Sequence, residues 1–521
     1  MSSALRSRIL QPLAVQCHAL ASAIARPHTH HSRHTISSSP ALLSPFKRTL
    51  STLFTSDRTV ESVSGEPEKV SLSKPLRGFE NPKYAVVDLS RPPTTQITQL
   101  DNGLAVASED SPGAFAVVGV SMEAGTRFEE KDATGIFHFL DRMAYKSTVN
   151  HSQRELVAEL EKLGGSAFCQ GSRDCMVYYM CVFNKDVDRA MELLAESVLN
   201  PALAQSEIEE QRQLVLFEKE DMLQRPEIAV TELMYEAAYS QSSMGQPLIC
   251  PDDTINAMTP ELLHKYHKQY YIAPRMVVAA AGVPHEKLLS LTKQHFANVP
   301  SAPATPLPEF APQTYVGGAL QKHSADLKHA NVILAYEGLP WDHDDIYALC
   351  TLQMLMGGGA SFSAGGPGKG MHSRLMTRVL NRYYWIESCM AQLTSHKDTG
   401  LFYMHGTCDD ENVHNLMRVM EEEFEGMASA VTDTELSRAQ NQLKSHLLMN
   451  LESRVVQFDD ISKQILTTGK RIQPLELCRH IDLVTKEDLG RVARRMLAGK
   501  PTSAIYGNLD KMSPSVVAQT F

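Results

Sequence analysis

The sequence has no long apolar run. Of its 521 residues, 43% are hydrophobic and 21% are charged, which is ordinary for a globular protein. The longest strongly apolar stretch lies at positions 276–283 and is far shorter than the roughly 20 residues that cross a bilayer. The nine cysteines include no CxxC pair, so their spacing does not favour a zinc knuckle. We expect no membrane-spanning helix and mostly buried, reduced thiols.

Acidic residues are absent from the first 56 positions. This segment is rich in Ser and Ala, carries six Lys and Arg side chains, and spaces its apolar residues as in an amphipathic helix. That composition is typical of a mitochondrial import signal, with a disordered tail as the alternative. We predict a transit peptide over 1–50, a polar extension over 51–85 and a location in the mitochondrial matrix.

The rest of the chain is acidic. Removal of the six basic residues of segment 1–50 changes the formal net charge from −10 to −16. Such a surface argues against a nucleic-acid partner and is compatible with basic ligands.

The chain contains an internal repeat on either side of a proline-rich segment. Residues 255–282 and 481–507 both predict a helix with a capping threonine, Thr259 or Thr485, followed by an apolar strand that ends on glycine. Earlier segments of the two halves match in the same order of strand, loop and helix. The sequence therefore predicts two similar lobes around a shared cleft.

One helix carries an altered zinc-peptidase motif. Inverted zincins use H-x-x-E-H, in which two histidines bind the metal and a glutamate activates water. Here His138 is followed by Asp141 and Arg142 in place of the glutamate and the second histidine. Because a guanidinium is a permanent cation, Arg142 cannot ligate zinc. We predict no metal site and no independent catalysis.

Together, the repeat, this helix, a distal glutamate and a glycine-rich segment resemble the pitrilysin-type (M16) metallopeptidases. The strings "GGPGKGMHSRL", "AQNQLKSHLLMNLESR" and "LNRYYW" are similar to those of the α-subunits of mitochondrial processing peptidases. The resemblance extends from about residue 81 to the C-terminus, with Ala360 where relatives often carry glycine. It implies an α+β fold of two homologous lobes, each a mostly antiparallel sheet packed with helices. We expect the lobes over 86–299 and 314–521, joined by a linker over 300–313.

In that family the third zinc ligand is a glutamate farther along the chain, and Glu218 stands at the corresponding distance from Arg142. The neighbours Leu214, Val215 and Met222 predict an apolar helix face, where an unpaired carboxylate is costly. We therefore predict an ion pair between Glu218 and Arg142.

The glycine-rich segment, residues 357–370, does not fit a phosphate-binding loop. Position 363 is serine where the motif needs glycine, and Gly370 follows Lys369 where it needs Ser or Thr. A linker is not favoured, because both flanks are predicted helices of one lobe. By resemblance, the segment lies over a cavity entrance and helps to hold a presequence. The predicted contact residues are Gly357, Gly358, Gly359, Ser361, Phe362, Gly365, Gly366, Pro367, Gly368, Lys369 and Gly370.

The resemblance also implies acidic contacts to basic presequences. The family's acidic positions in the second lobe fall on Glu435, Asp459 and Asp460, on what we predict to be consecutive helices. A solvated surface carboxylate is the alternative at each position.

The implied function is that of a substrate-binding subunit. Its partner would be a β-subunit that carries the zinc and cleaves, so this chain would need no cofactor. The pair would act in the matrix, either free or attached to the inner membrane. The alternative is a structural core subunit of the cytochrome bc1 complex, or one polypeptide with both roles.

Overall fold

The computed structural model describes residues 94–308, 312–361 and 370–512. The predicted transit peptide and polar extension lie outside these ranges. The described strands form two six-stranded sheets. None of the described helices is long and apolar enough to cross a bilayer.

The first sheet belongs to the N-terminal half. Its spatial order is β1-β2-β6-β3-β5-β4, and β2 and β6 are its parallel pair. The strands are β1 (Gln96–Gln99), β2 (Ala105–Glu109), β3 (Phe115–Met122), β4 (Ser166–Gly171), β5 (Met176–Phe183) and β6 (Met276–Ala281).

The second sheet belongs to the C-terminal half. Its order is β7-β12-β8-β11-β10-β9, and β7 and β12 are parallel. The strands are β7 (Gly318–His323), β8 (Ala330–Glu337), β9 (Gly358–Ala360), β10 (Ile386–Ser395), β11 (Gly400–Cys408) and β12 (Thr502–Gly507).

Five strands of each sheet follow one topology. The order β2-β6-β3-β5-β4 of the first sheet matches β7-β12-β8-β11-β10 of the second, including the position of the parallel pair. Strand β1 is added at one edge of the first sheet, and β9 is added at the opposite edge of the second. The expected α+β fold with two duplicated, mostly antiparallel lobes is confirmed.

Helices cover both sheets. The N-terminal half contains α1 (Ile136–Arg142), α2 (Gln153–Lys162), α3 (Val187–Leu199), α4 (Gln205–Leu223), α5 (Pro226–Ala238), α6 (Asp252–Ile255), α7 (Pro260–Tyr270) and α8 (His285–Phe296). The C-terminal half contains α9 (Ile346–Met356), α10 (Val413–Met427), α11 (Asp433–Asn450), α12 (Arg454–Thr468), α13 (Pro474–Asp482) and α14 (Lys486–Leu497).

The helix caps expected from the repeat are present. The Thr259 side chain accepts the N–H of Leu262 at the start of α7. Thr485 forms a capping box with Asp488 at the start of α14. Both side chains satisfy backbone N–H groups that a helix leaves unpaired in its first turn.

One predicted helix is shorter than expected. We expected helix on both sides of the glycine-rich segment, but the C-terminal flank has only a π-helix over Leu375–Leu380. Chain reversal follows at Asn381, whose N–H donates to the carbonyl of Met376, and β10 begins at Ile386. Pairing of β10 with β11 competes with continuation of the helix.

One helix of each half packs against the sheet of the other half. Helix α5 packs on one face of the second sheet, where Val230 and Met234 contact a cluster with Ile333 and Tyr403. Helix α12 packs on the first sheet in the same manner. Each lobe thus covers apolar surface of the other, which makes the two lobes one packed unit.

Gly119 explains how closely α12 approaches the first sheet. It lies in β3, and a Cβ at this position would overlap the Phe458 ring of α12 and the carbonyl of Tyr178. Phe458 is buried in this interface together with Ile461. Absence of a side chain at Gly119 is therefore a packing requirement.

A charge network around the buried Arg127 also joins the halves. Arg127 donates to Asp174 (Nη1–Oδ1, 2.6 Å) and to Asp398 of the other half (Nη2–Oδ2, 2.7 Å). His396, also from the C-terminal half, lies 2.5 Å from Asp174. Burial opposes ionisation of Asp174, but His396 and Arg127 outweigh it and hold the pKa of this carboxyl well below its usual value.

The segment between the lobes has no helix or strand in its described part, residues 297–308 and 312–317. Several prolines explain this, because proline lacks the N–H that helices and sheets use. The exact lobe boundaries stay predictions.

Candidate functional site

The altered motif lies on α1, whose start is held in place by Glu129. This buried side chain accepts the N–H groups of Gly135 (2.8 Å) and Phe137 (2.9 Å). Burial raises the pKa of Glu129 to about 8, although both hydrogen bonds oppose the shift. Gly135 has a φ of 97°, and a Cβ there would meet Cys250. The backbone before His138 is therefore tightly constrained.

Both ring nitrogens of His138 have hydrogen-bond partners. The backbone N–H of Cys250 donates to Nδ1 at 3.2 Å, and Nε2 lies 3.2 Å from Glu218 Oε2. Because Nδ1 accepts a hydrogen bond, the neutral ring carries its proton on Nε2 and donates it to Glu218. The nitrogen that could face a metal is thus used within the protein.

Arg142 completes the cluster. Its Nη1 lies 3.2 Å from Glu218 Oε1 and its Nη2 lies 3.1 Å from Asp141 Oδ2. Burial lowers the pKa of Arg142, but attraction to Asp141 and Glu218 outweighs it, so the pKa lies above the usual value. The ion pair predicted between Glu218 and Arg142 is confirmed. The guanidinium of Arg142 supplies positive charge at the place where the H-x-x-E-H motif would bind a metal.

These four residues do not fit a zinc ion. A tetrahedral site needs three protein ligands with free lone pairs, and here the second position is a guanidinium. Across the described residues, no group of three His, Cys, Asp or Glu side chains is arranged to hold a metal. His138 and Glu218 already satisfy each other, so metal would have to displace an existing hydrogen bond and approach Arg142.

The environment of Glu218 differs in one respect from the sequence pattern. Its buried neighbours on α4 are Ile208, Gln211 and Val215. Leu214, expected on the same buried face, is 49% exposed. The buried face of α4 is therefore narrower than the sequence pattern predicts, and Leu214 lies outside it.

Both described ends of the glycine-rich segment are fastened to the second lobe. Strand β9 pairs with β10, and the Ser361 N–H donates to the Glu387 carbonyl at 2.8 Å. Ser373 Oγ accepts the Gly358 N–H at 3.2 Å, which joins the two ends. Gly357, Gly358 and Gly370 have φ values of 57°, 102° and 72°, and a Cβ on Gly358 would overlap the Cys389 carbonyl. Glycine is therefore required at the two ends of the segment.

The middle of that segment lies outside the described residues. These predicted contact residues are Phe362, Gly365, Gly366, Pro367, Gly368 and Lys369. Their assignment stays a prediction.

The predicted acidic residues are engaged inside the chain. Glu435 accepts from Arg374 Nε at 2.9 Å and caps α11 with Thr432; the hydrogen bond from Arg374 is the main cause that lowers its pKa to about 2. Asp459 pairs with Lys463 at 2.9 Å, and Asp460 pairs with Arg471 at 2.7 Å. They lie on consecutive helices, as expected, but each carboxylate already has a cationic partner. Contacts between these residues and a presequence stay predictions.

Sequence reasoning missed the Arg471 contact. This side chain is 1% exposed and also binds Glu109 of β2, Nη1 to Oε2, at 2.6 Å. It therefore connects the region after α12 with the first sheet. No sequence signal indicates such a pair, because the partners are 362 positions apart.

The chain has two duplicated lobes, and its peptidase-motif helix carries Arg142 at the position of the second zinc ligand. These features define an M16-type protein without the zinc-binding pattern. Two family models match the chain. "Insulinase (Peptidase family M16)" matches residues 105–252, and "Peptidase M16 inactive domain" matches residues 257–443.

Curated relatives are similar over most of their length. The human mitochondrial-processing peptidase subunit alpha is 39% identical over 466 residues, which is 86% of this chain and 88% of the relative. A probable subunit alpha from Schizosaccharomyces pombe is 40% identical, with 80% and 86% covered. The Neurospora crassa subunit alpha is 36% identical, with 81% and 86% covered. The chain belongs to the mitochondrial-processing peptidase subunit alpha family within the M16 peptidases.

A solved structure shares the fold. The crystal structure of a protease from Helicobacter pylori matches with a TM-score of 0.72 and 22% identity, over 80% of this chain and 99% of that chain. At this identity the likeness shows the fold alone.

Proposed function

We propose that this chain is the substrate-binding, non-catalytic subunit of a heterodimeric mitochondrial processing peptidase. Its partner β-subunit carries the zinc and cleaves N-terminal presequences from imported precursors in the matrix. The observation that carries the proposal is Arg142 at the second ligand position, neutralised by Glu218 and Asp141. A cation bound in this way leaves the chain without a Lewis acid of its own.

The role of this chain is then to bind and orient the substrate. A presequence is basic, and the formal net charge of this chain without segment 1–50 is −16. Electrostatic attraction therefore favours the encounter of the chain with a presequence. The glycine-rich segment, anchored at Gly358 and Ser373, is proposed to contact the extended part of the peptide. Glycine allows close approach of two backbones and accommodates varied side chains.

The assignment is tested by preparing the chain alone and together with an M16 partner that has an intact HxxEH motif. We expect zinc in the partner and presequence cleavage only by the pair. Zinc-dependent cleavage by the lone chain would contradict the proposal.

The segment is tested in the assembled pair. Replacement of residues 362–369 by a short Gly-Ser segment should raise KM about tenfold or more with a smaller effect on kcat, because a binding contact is removed. Lys369→Gln separates the charge of the segment from its backbone. Unchanged KM in the replacement variant would exclude a contact with substrate.

A further inference from the structure

Helix α4 carries apolar side chains on its exposed face. Phe217 is 62% exposed, and Leu214 and Leu216 are 49% and 40% exposed. A different side of the helix, which includes Val215 and Glu218, is buried. Leu214 and Phe217 are three positions apart and form an exposed apolar strip, whereas Leu216 projects to another side of the helix. Such a strip indicates an interaction surface when its surroundings specify a ligand.

Carboxylates surround the strip. Helix positions three and four apart are neighbours, which places Leu214 beside Glu210, and Phe217 beside Leu214, Glu220 and Asp221. Within the described residues, the ion pairs of the acidic side chains on this exposed face are Glu209 with Arg212 and Asp221 with Arg225, and none involves Glu210 or Glu220. Their charges are available to a ligand.

This distinguishes the α4 surface from the acidic positions expected in the second lobe. There, Glu435, Asp459 and Asp460 each lie within ion-pair distance of an internal Arg or Lys. A ligand cation would have to displace those partners, whereas Glu210 and Glu220 need only lose water.

The complementary ligand is a helix with one apolar face and flanking cations. Import signals are amphipathic, Arg-rich and poor in acidic residues, and the first 56 residues of this chain have that pattern. We propose that the exposed face of α4, formed by Glu210, Leu214, Phe217 and Glu220, docks the amphipathic helix of a presequence. This inference rests on the proposed function and locates the helical part of the substrate.

The two kinds of contact have different consequences. Burial of the ligand's apolar face against Leu214 and Phe217 supplies affinity. Attraction of its arginines to Glu210 and Glu220 supplies orientation and a dependence on salt concentration. Glu218 lies one turn after Leu214 on the same helix and projects towards the core, so the docked helix would run within about one helix diameter, roughly 10 Å, of the altered motif.

The apolar contact is tested with the full chain and a dye-labelled synthetic 20-residue peptide with arginines on one helix face and leucines on the other. A scrambled peptide of equal composition is the reference. Leu214→Gln/Phe217→Gln should weaken binding of the amphipathic peptide about tenfold or more. The control Leu475→Gln/Leu483→Gln alters two leucines that are similarly exposed on and after α13, and should stay within about twofold.

The charge contact is tested by salt titration. Glu210→Gln/Glu220→Gln should weaken binding several-fold at low salt and make its salt dependence shallower. Glu161→Gln/Glu411→Gln removes the same charge elsewhere on the exposed surface and should keep the wild-type slope.

The outcomes separate this inference from the proposed function. Equal peptide binding by the α4 variants and wild type, with an active wild-type pair, overturns the α4 site alone. If Leu214→Gln/Phe217→Gln weakens assembly with the catalytic partner, or self-association, but leaves peptide binding intact, the strip is a subunit interface and the inference is wrong. A wild-type pair that neither binds nor cleaves presequences overturns both.

Discussion

Glu218 Oε1 lies 3.2 Å from Arg142 Nη1, at the position where related peptidases hold a metal between a glutamate and a histidine. The other oxygen of Glu218 faces His138 at the same distance. One carboxylate therefore joins two residues of α1 in a mostly buried cluster, in addition to the contacts of Arg142 with Asp141 and of His138 with the Cys250 N–H. These contacts connect the four positions of the altered motif without a metal.

The first prediction concerns this ion pair. Arg142→Leu leaves Glu218 and Asp141 without their cation and should lower the free energy of unfolding by about 3 kcal/mol, measured by urea denaturation. Arg142→Lys should lower it less. The control Arg154→Leu changes an exposed arginine and should stay within about 0.5 kcal/mol. Equal losses at positions 142 and 154 would show that the pair contributes nothing.

The second prediction concerns restoration of the motif. Asp141→Glu/Arg142→His recreates HxxEH on α1, with Glu218 at the third ligand position. We expect this variant to bind about one zinc per chain in equilibrium dialysis, while wild type binds none. Addition of His138→Ala should abolish the binding. Failure of the double variant to take up zinc would mean that the helices no longer hold ligand geometry.

The third prediction concerns pH. The pKa of Glu435 is about 2 in the folded chain, against 4.5 for the ordinary side chain, because Arg374 and Thr432 stabilise the carboxylate. Because the pKa of Glu435 is lower in the folded chain than in the unfolded chain, its carboxylate stabilises the fold above pH 4.5. This stabilisation is lost as the pH falls towards 2. Glu435→Gln should therefore cost on the order of 2 kcal/mol at pH 7 and about 1 kcal/mol less at pH 4.

The partner of Glu435 provides the control. Arg374→Met removes the cation, so the loss caused by Glu435→Gln in that background should be smaller and nearly independent of pH. A loss of equal size at pH 7 and pH 4 in the wild-type background would contradict the ion-pair explanation.

The fourth prediction concerns helix α12. Gly119→Ala places a methyl group against the Phe458 ring and should destabilise the chain by about 2 kcal/mol. Phe458→Ala leaves a cavity and should cost about 3–5 kcal/mol. Together the two changes should cost less than their sum, because the added methyl faces the space that the ring vacates. Additive losses in thermal or urea unfolding would show that the two positions do not share a contact.

Local sequence features predicted much of the fold. Short apolar strands that end on glycine, capping threonines and the matching halves indicated two duplicated lobes, because each signal depends on neighbours within a few residues. The same reasoning paired Glu218 with Arg142, since helix periodicity placed a carboxylate on an apolar face and the motif supplied a cation. It was wrong for Leu214, which the helix period placed on the buried face but which is 49% exposed, because tertiary packing decides how wide the buried face of a helix is.

What the sequence by itself determined is the identity of the chemical groups: arginine in place of a zinc ligand, glycines where the backbone turns, and an acidic body after a basic N-terminal segment. Apart from the pair of Glu218 with Arg142, only the tertiary structure decided which groups neutralise one another. Glu435, Asp459 and Asp460 look like available charges in the sequence, yet the fold gives each a cation. Charge pairing acts through space over a few ångströms, and the chain brings together residues such as Arg127 and Asp398 that are 271 positions apart.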